Sequence, residues 1–243
     1  MISYGATDIG KRRKINQDYL FYSDGPVGCF PNLYIVADGM GGHKAGDKAS
    51  SYAVERFVEL SKAAAKEMPF LVMEKLIHQV NEEVYQMSAR EEEYAGMGTT
   101  FVAVTVMGRT AYVMNIGDSR LYYYADSLKQ VTMDHSLVEE LVRAGELDRA
   151  KCRNHPQKNI ITRAVGVTDT VQPDFFMFEM TKGQKLLLCS DGLSNMVEDD
   201  RLEEILSGDE NVETIARTCI DEALFYGGVD NIAVVVARYG DGR

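Results

Sequence analysis

The sequence predicts an α+β fold in which antiparallel sheets pack on each other with helices outside. Three observations lead there. Strand-like runs come in clusters, helical stretches come in pairs, and a two-residue turn, Gly108-Arg109, joins two of the strand runs as a hairpin. A doubly wound parallel sheet would need strand and helix to alternate one for one. Antiparallel sheets stacked face to face as a sandwich do not.

In chain order, the first such run is Asn32–Ala37 (NLYIVA), which ends at Asp38. Ala49, Tyr52, Ala53, Phe57 and Leu60 then recur at helical spacing, as do Met73, Ile77, Val80, Val84 and Met87, each set forming one apolar face. Thr100–Met107 (TFVAVTVM) and Thr110–Ile116 (TAYVMNI) flank the tight turn. Arg120–Tyr124 (RLYYY) follows almost at once, so a meander is expected mid-chain. Lys185–Cys189 (KLLLC) and Ile232–Arg238 (IAVVVAR) supply later strands, with a third helical stripe at Val212, Ile215, Ala216, Cys219 and Ala223. Such stripes are core and carry no chemistry. Without an internal repeat, and with only five prolines, residues 1–243 are expected to form one domain.

The four cysteines are scattered, with no CxxC pair and no matching histidine spacing, which argues against a zinc module or a disulfide framework and fits a reducing cytosol. The opening residues lack the apolar stretch of a signal peptide and no run is long enough to cross a bilayer, so a cytoplasmic protein off the membrane is expected. A net charge of −11 disfavours nucleic acid and anionic lipid. It would also repel phosphate-bearing substrates unless bound cations reverse the local sign. The one basic run, Lys11-Arg12-Arg13-Lys14, reads by itself as a solvated turn.

The informative feature is where aspartates fall. Asp38 and Asp191 directly follow apolar strands, Asp230 directly precedes one, and Asp118 sits in the turn NIGDSR between two. Asp18 lies beside the basic run. Each alone is an ordinary turn or cap residue. Together, carboxylates at one sheet edge would repel and raise one another's pKa, a conflict that divalent cations resolve. Hard oxygen donors suit Mg²⁺ or Mn²⁺, and a two-metal carboxylate site makes phosphoryl transfer to water the natural chemistry. The glycine-rich DGMGGH turn lacks GK[ST] and is not GxGxxG, and no kinase motif set is present.

VADGMGGHKAG (Val36–Gly46) resembles the signature of the PPM family of metal-dependent protein phosphatases, the protein phosphatase 2C-like group. Further motifs of that family follow in order: D-x-G-x-x-R-x-x-N-Q-D at Asp8–Asp18, GTT at Gly98–Thr100, NIGDSRLY at Asn115–Tyr122, TMDHS at Thr132–Ser136, NIITRAVG at Asn159–Gly166, LLCSDGL at Leu187–Leu193 and DNIAVVV at Asp230–Val236. The resemblance covers essentially the whole chain. It implies an α-β-β-α sandwich and hydrolysis of phosphoserine and phosphothreonine on proteins by a metal-activated water at a binuclear Mn²⁺/Mg²⁺ centre. Asp38, the Gly39 carbonyl, Asp191 and Asp230 would hold the two catalytic ions, and Asp118, with Asp191, a weaker third. Asp18 would support water held by the metals, and Arg13 would grip substrate phosphate through its planar fork.

One departure from the eukaryotic pattern is Met40, where a histidine proposed as general acid would stand; the bacterial members share it. His43 is the substitute in the motif, and either it or water is left as proton donor. His135 is read as structural and His78 as an ordinary surface or boundary residue. The resemblance also places a flap at about 137–160, a segment with few large apolar anchors in its second half. Expected partners are phosphorylated proteins, substrates of a cognate serine/threonine kinase, met by a monomer. A hydrolase of small phosphate monoesters has the same site chemistry. A non-catalytic phosphoprotein-binding member would need a broken ligand set.

Overall fold

Alternation along the apolar strands serves two different cores. In β3 (Leu33–Met40), Leu33, Ile35 and Ala37 point to one side, while Tyr34 and Val36 point to the other. In the last strand, β11 (Ile232–Arg238), Ile232, Val234 and Val236 face one core, and Ala233, Val235 and Ala237 the second. Both faces of these strands are buried, which is why they read as unbroken apolar runs. The structure, a computed structural model, describes residues 1–42 and 45–240.

The remaining strands are β1 (Ile2–Asp8), β2 (Asp18–Ser23), β4 (Gly98–Thr99), β5 (Phe101–Met107), β6 (Thr110–Ile116), β7 (Arg120–Tyr124), β8 (Leu128–Gln130), β9 (Asp174–Glu179) and β10 (Lys185–Cys189). One sheet runs β1-β11-β10-β7-β8. The other runs β2-β3-β5-β6-β9, with β4 added on β3. All paired strands are antiparallel. Helices α1 (Ala45–Ala63) and α2 (Pro69–Arg90) cover the second sheet, with Phe57 of α1 packed on Phe30 and Phe101. Helices α6 (Asp199–Ser207) and α7 (Val212–Phe225) cover the first. Tyr34, Val102, Val113, Leu121 and Leu188 fill the space between the sheets. The α-β-β-α sandwich is therefore present.

Two expectations need correction. β6 and β7 do not continue a meander: β6 pairs with β5 and β9, while β7 pairs with β10 and β8 in the other sheet. The chain crosses between sheets at Gly117–Ser119. His135 takes up the polar groups of that turn, its Nδ1 accepting from Gly117 N–H and its backbone N–H donating to Gly117 O. The ladder groups of β6 are taken by β5 and β9 and those of β7 by β10 and β8, so the two strands have none left for each other. Secondly, Asp38 and Gly39 do not open a turn but extend β3, where Asp38 pairs with Asp18 and Gly39 with Thr99. Gly39 has no room for a Cβ, which would strike the Gly46 carbonyl, so the strand passes there only as glycine.

Candidate functional site

The strands that Asp38, Asp191 and Asp230 adjoin, β3, β10 and β11, are deeply packed. Leu187, Leu188, Val234 and Val235 are fully buried, each stabilising the fold by about 1.5–3 kcal/mol, and this holds the strand ends rigidly. Asp18 and Asp38 are opposite residues of neighbouring antiparallel strands, so their side chains rise on one face. Asp38 N–H donates to Thr100 Oγ1 at 2.8 Å, and Thr100 N–H donates to Asp38 O at 2.8 Å. Asp191 opens a four-residue helical turn, α5 (Asp191–Ser194), immediately past β10. Asp230 stands just before β11, and Asp118 lies in the crossing between sheets.

Arg13, Asp38, Gly39, Asp118, Asp191 and Asp230 line one cavity of about 210 Å³. Asp18 lies behind it, 6 % exposed, with Oδ2 accepting from Ser190 Oγ at 2.6 Å. His43 falls outside the described residues.

Burial pushes the carboxyls of Asp18, Asp38, Asp118 and Asp191 above the usual carboxylate range, and their mutual repulsion pushes them further. Asp38, Asp118 and Asp191 keep some exposure at the cavity mouth, but protein surrounds the carboxyls on the other sides. Arg13 Nη2 donates to Asp230 Oδ2 at 2.7 Å, the one direct counter-charge at the cavity rim among the described residues. Two buried oxygens, Asp18 Oδ1 and Asp191 Oδ1, have no hydrogen-bond donor. Orphaned acceptors, crowded carboxylates and an oxygen-only donor set fit a hard divalent cation. Among the described residues no three acidic, histidine or cysteine side chains close round a single point as they stand. The lining is shared between opposed strand ends, and Asp230 is turned onto Arg13.

Several supports lie in or beside the quoted motifs but had no role assigned to them from the sequence. Asn231 is the clearest: its Nδ2 donates to Ile9 O at 2.9 Å and Ile15 O at 3.0 Å, while Oδ1 accepts from Gln17 N–H at 2.9 Å. One side chain thus ties down the loop that carries Arg13. Its place in the DNIAVVV motif, directly after Asp230, was the signal for it. Asn195 Nδ2 donates to Asp191 Oδ2 at 2.9 Å, and Arg120 grips Asp134 bidentately beneath Asp118. His135 is buried, with Nε2 3.2 Å from Asp174 Oδ2, a structural role that fits the sequence reading. His78 is exposed on α2.

Residues 137–160 begin with α3 (Leu137–Arg143), capped by Ser136, and Gly145 ends it in the left-handed region at φ +75°. A second short helix, α4 (Arg149–Cys152), is capped by Asp148. Two of the three arginines of this segment, Arg149 and Arg153, are occupied internally. Arg149 forks onto Glu139, and Arg153 reaches Glu198 and the carbonyls of Ser194 and Asn195. The apolar anchoring is thin, but polar contacts fasten the segment over a second cavity, of about 570 Å³, that shares Asp118 and Asp191 with the first.

Comparison with known proteins adds to this geometry. A family model described as protein phosphatase 2C matches residues 9–219. The chain is 41 % identical over 242 residues to the serine/threonine phosphatase stp of Listeria monocytogenes serotype 4b, covering 96 % of this chain and 93 % of that protein. The crystal structure of serine/threonine phosphatase Stp1 from Staphylococcus aureus superposes with a TM-score of 0.91 at 30 % identity, covering 98 % of this chain and 95 % of that one. The catalytic domain of the serine threonine protein phosphatase PstP, solved in complex with two manganese ions, superposes with a TM-score of 0.87 at 32 % identity, covering 99 % and 98 %.

Proposed function

The chain belongs to the protein phosphatase 2C family, and from that premise we propose that its strand-end carboxylates form the catalytic centre of a metal-dependent serine/threonine protein phosphatase. The observation that carries the assignment is the single cavity lined by Asp38, Asp118, Asp191 and Asp230 with Arg13 at its rim. Asp38, the Gly39 carbonyl, Asp191 and Asp230 would hold two ions, Mn²⁺ or Mg²⁺, and Asp118 with Asp191 would hold a weaker third. Bound there, such ions lower the pKa of water towards neutrality and neutralise charge on the phosphoryl oxygens.

The protein's own groups do the rest. Asp18, locked by Ser190, orients water and keeps Asp38 in place across the β2–β3 pair. Arg13 exchanges Asp230 for substrate phosphate, and Asn231 keeps its loop in position. The leaving serine or threonine oxygen takes its proton from His43 or from water. The segment 137–160 is a flap folded on itself by Arg149 with Glu139 and held to the rest of the domain by Arg153 with Glu198. The substrates are phosphoproteins made by a cognate serine/threonine kinase, and the enzyme works as a cytoplasmic monomer away from nucleic acid and membrane. Among the described residues no helix is long and apolar enough to cross a membrane.

The direct test is turnover of a phosphothreonine peptide in Mn²⁺, set beside a small aryl phosphate. Hydrolysis of the aryl phosphate alone would favour the small-ester reading.

Arg13→Ala is expected to lower kcat/KM on phosphopeptides by about ten- to a hundredfold, the worth of a charge-assisted contact of roughly 1.5–3 kcal/mol. Metal affinity should not fall, because removing the guanidinium frees Asp230 Oδ2. Unchanged kinetics, or a collapse of calorimetric metal binding, would remove Arg13 from the phosphate-gripping role. Asp118→Ala should slow turnover about tenfold while leaving the unfolding temperature within a few degrees, since it spares Asp38 and Asp230. Wild-type turnover across a metal titration would make Asp118 only a turn residue.

A further inference from the structure

Large apolar side chains are exposed on the two segments that bring Arg13 and Asp230 to the catalytic cavity. Helix α7 runs its buried stripe to Ala223 and then presents Phe225, 78 % exposed, followed by Tyr226 at 54 % and Val229 at 47 %. Ile9 and Ile15, each 38 % exposed, belong to the β1–β2 loop. Lys11 N–H donates to Gly228 O at 2.7 Å, and Asn231 Nδ2 reaches both Ile9 O and Ile15 O, so the segments are one surface. Gly10, at φ +76°, lies so close to the Asp230 carbonyl that a Cβ would overlap it. Phe225 and Tyr226 hold a T-shaped pair, centroids 5.3 Å apart, which presents the two rings together to solvent.

Single exposed apolar residues mean little. These five sit on the same two segments as Arg13 and Asp230, and the loop also carries the basic run Lys11–Lys14. A cationic loop on a protein of net charge −11 complements a phosphorylated chain, and the apolar residues continue from that contact.

We propose that the rim formed by Ile9, Ile15, Phe225, Tyr226 and Val229 docks the substrate polypeptide and selects phosphorylated sites flanked by apolar residues. This rests on the phosphatase reading and adds a substrate class to it. The phosphate at Arg13 fixes one point of the peptide, and the rim takes neighbouring aromatic or aliphatic side chains out of water.

The test uses the double variant Phe225→Ser, Tyr226→Ser with three substrates: a phosphothreonine peptide with Leu and Phe within four residues of the phosphothreonine, the same peptide with Ser there, and p-nitrophenyl phosphate. Wild-type protein should prefer the apolar peptide by about tenfold in kcat/KM, carried by KM. The double variant should lose that preference and keep its kcat on the other two substrates. Equal wild-type rates on both peptides would overturn the proposal without reference to any variant. So would a uniform loss on all three substrates, or wild-type sedimentation as a dimer that the double variant abolishes, which would make the rim a self-association surface. Turnover of the aryl phosphate with neither peptide cleaved would instead overturn the protein phosphatase reading on which the proposal stands.

Discussion

Replacing Asp38 or Asp191 by alanine is expected to lower kcat by at least about a thousandfold, roughly 4 kcal/mol of activation free energy. The two carboxyls face the same cavity from different sheets, so each removes oxygen donors that no neighbour can supply. Asp38 is held through Thr100, and Asp191 through Asn195. A water or a shifted side chain has no comparable support. The fold should survive, because the alanine leaves the apolar strands untouched and relieves carboxylate crowding in the cavity. With chelator present, Asp191→Asn should unfold at the same temperature as wild type or higher, as expected where function holds like charges together. Calorimetric metal affinity, circular dichroism and single-turnover kinetics decide the matter together. A variant that folds, binds metal weakly and still turns over at more than a few per cent would contradict the assignment.

Metal removal should abolish turnover reversibly and lower stability at the same time. Ions that bind only the folded chain stabilise it by roughly 2.7 kcal/mol at a hundredfold excess over Kd. For a chain of this length that corresponds to a fall of ~5–10 °C in Tm on chelation. The buried carboxyls give the physical cause: without a cation, Asp18 Oδ1 and Asp191 Oδ1 lack donors, and among the described residues only Arg13 at the rim offers Asp230 a direct charge partner. Restoring Mn²⁺ or Mg²⁺ should recover both activity and Tm. Full activity in excess chelator, or a Tm indifferent to metal, would rule out the cation-filled cavity.

Much of the fold was legible because the signals are local. Thr110–Ile116, Arg120–Tyr124, Lys185–Cys189 and Ile232–Arg238 are strands with the bounds their composition predicts, and the helical stripes fall on α1, α2 and α7. The strands β1, β2 and β9 were not legible. Each lies at a sheet edge, with mostly half-buried residues such as Tyr4, Phe21 and Phe176, so the apolar signal is diluted. The candidate site was legible as residue types at strand ends, and its supporting residues were not.

By itself the sequence determined which residues are buried, where most strands and helices lie, and which aspartates stand at the mouths of strands, because period and residue chemistry are local properties. Tertiary structure alone decided that β6 and β7 part into different sheets, that Asp38 faces Asp18 across a strand pair, that Asn231 tethers the loop of Arg13 and that Arg149 and Arg153 bind within the protein. These are contacts between residues far apart in the chain, such as Arg13 with Asp230 across 217 positions, and no local pattern encodes which distant partner a side chain will meet.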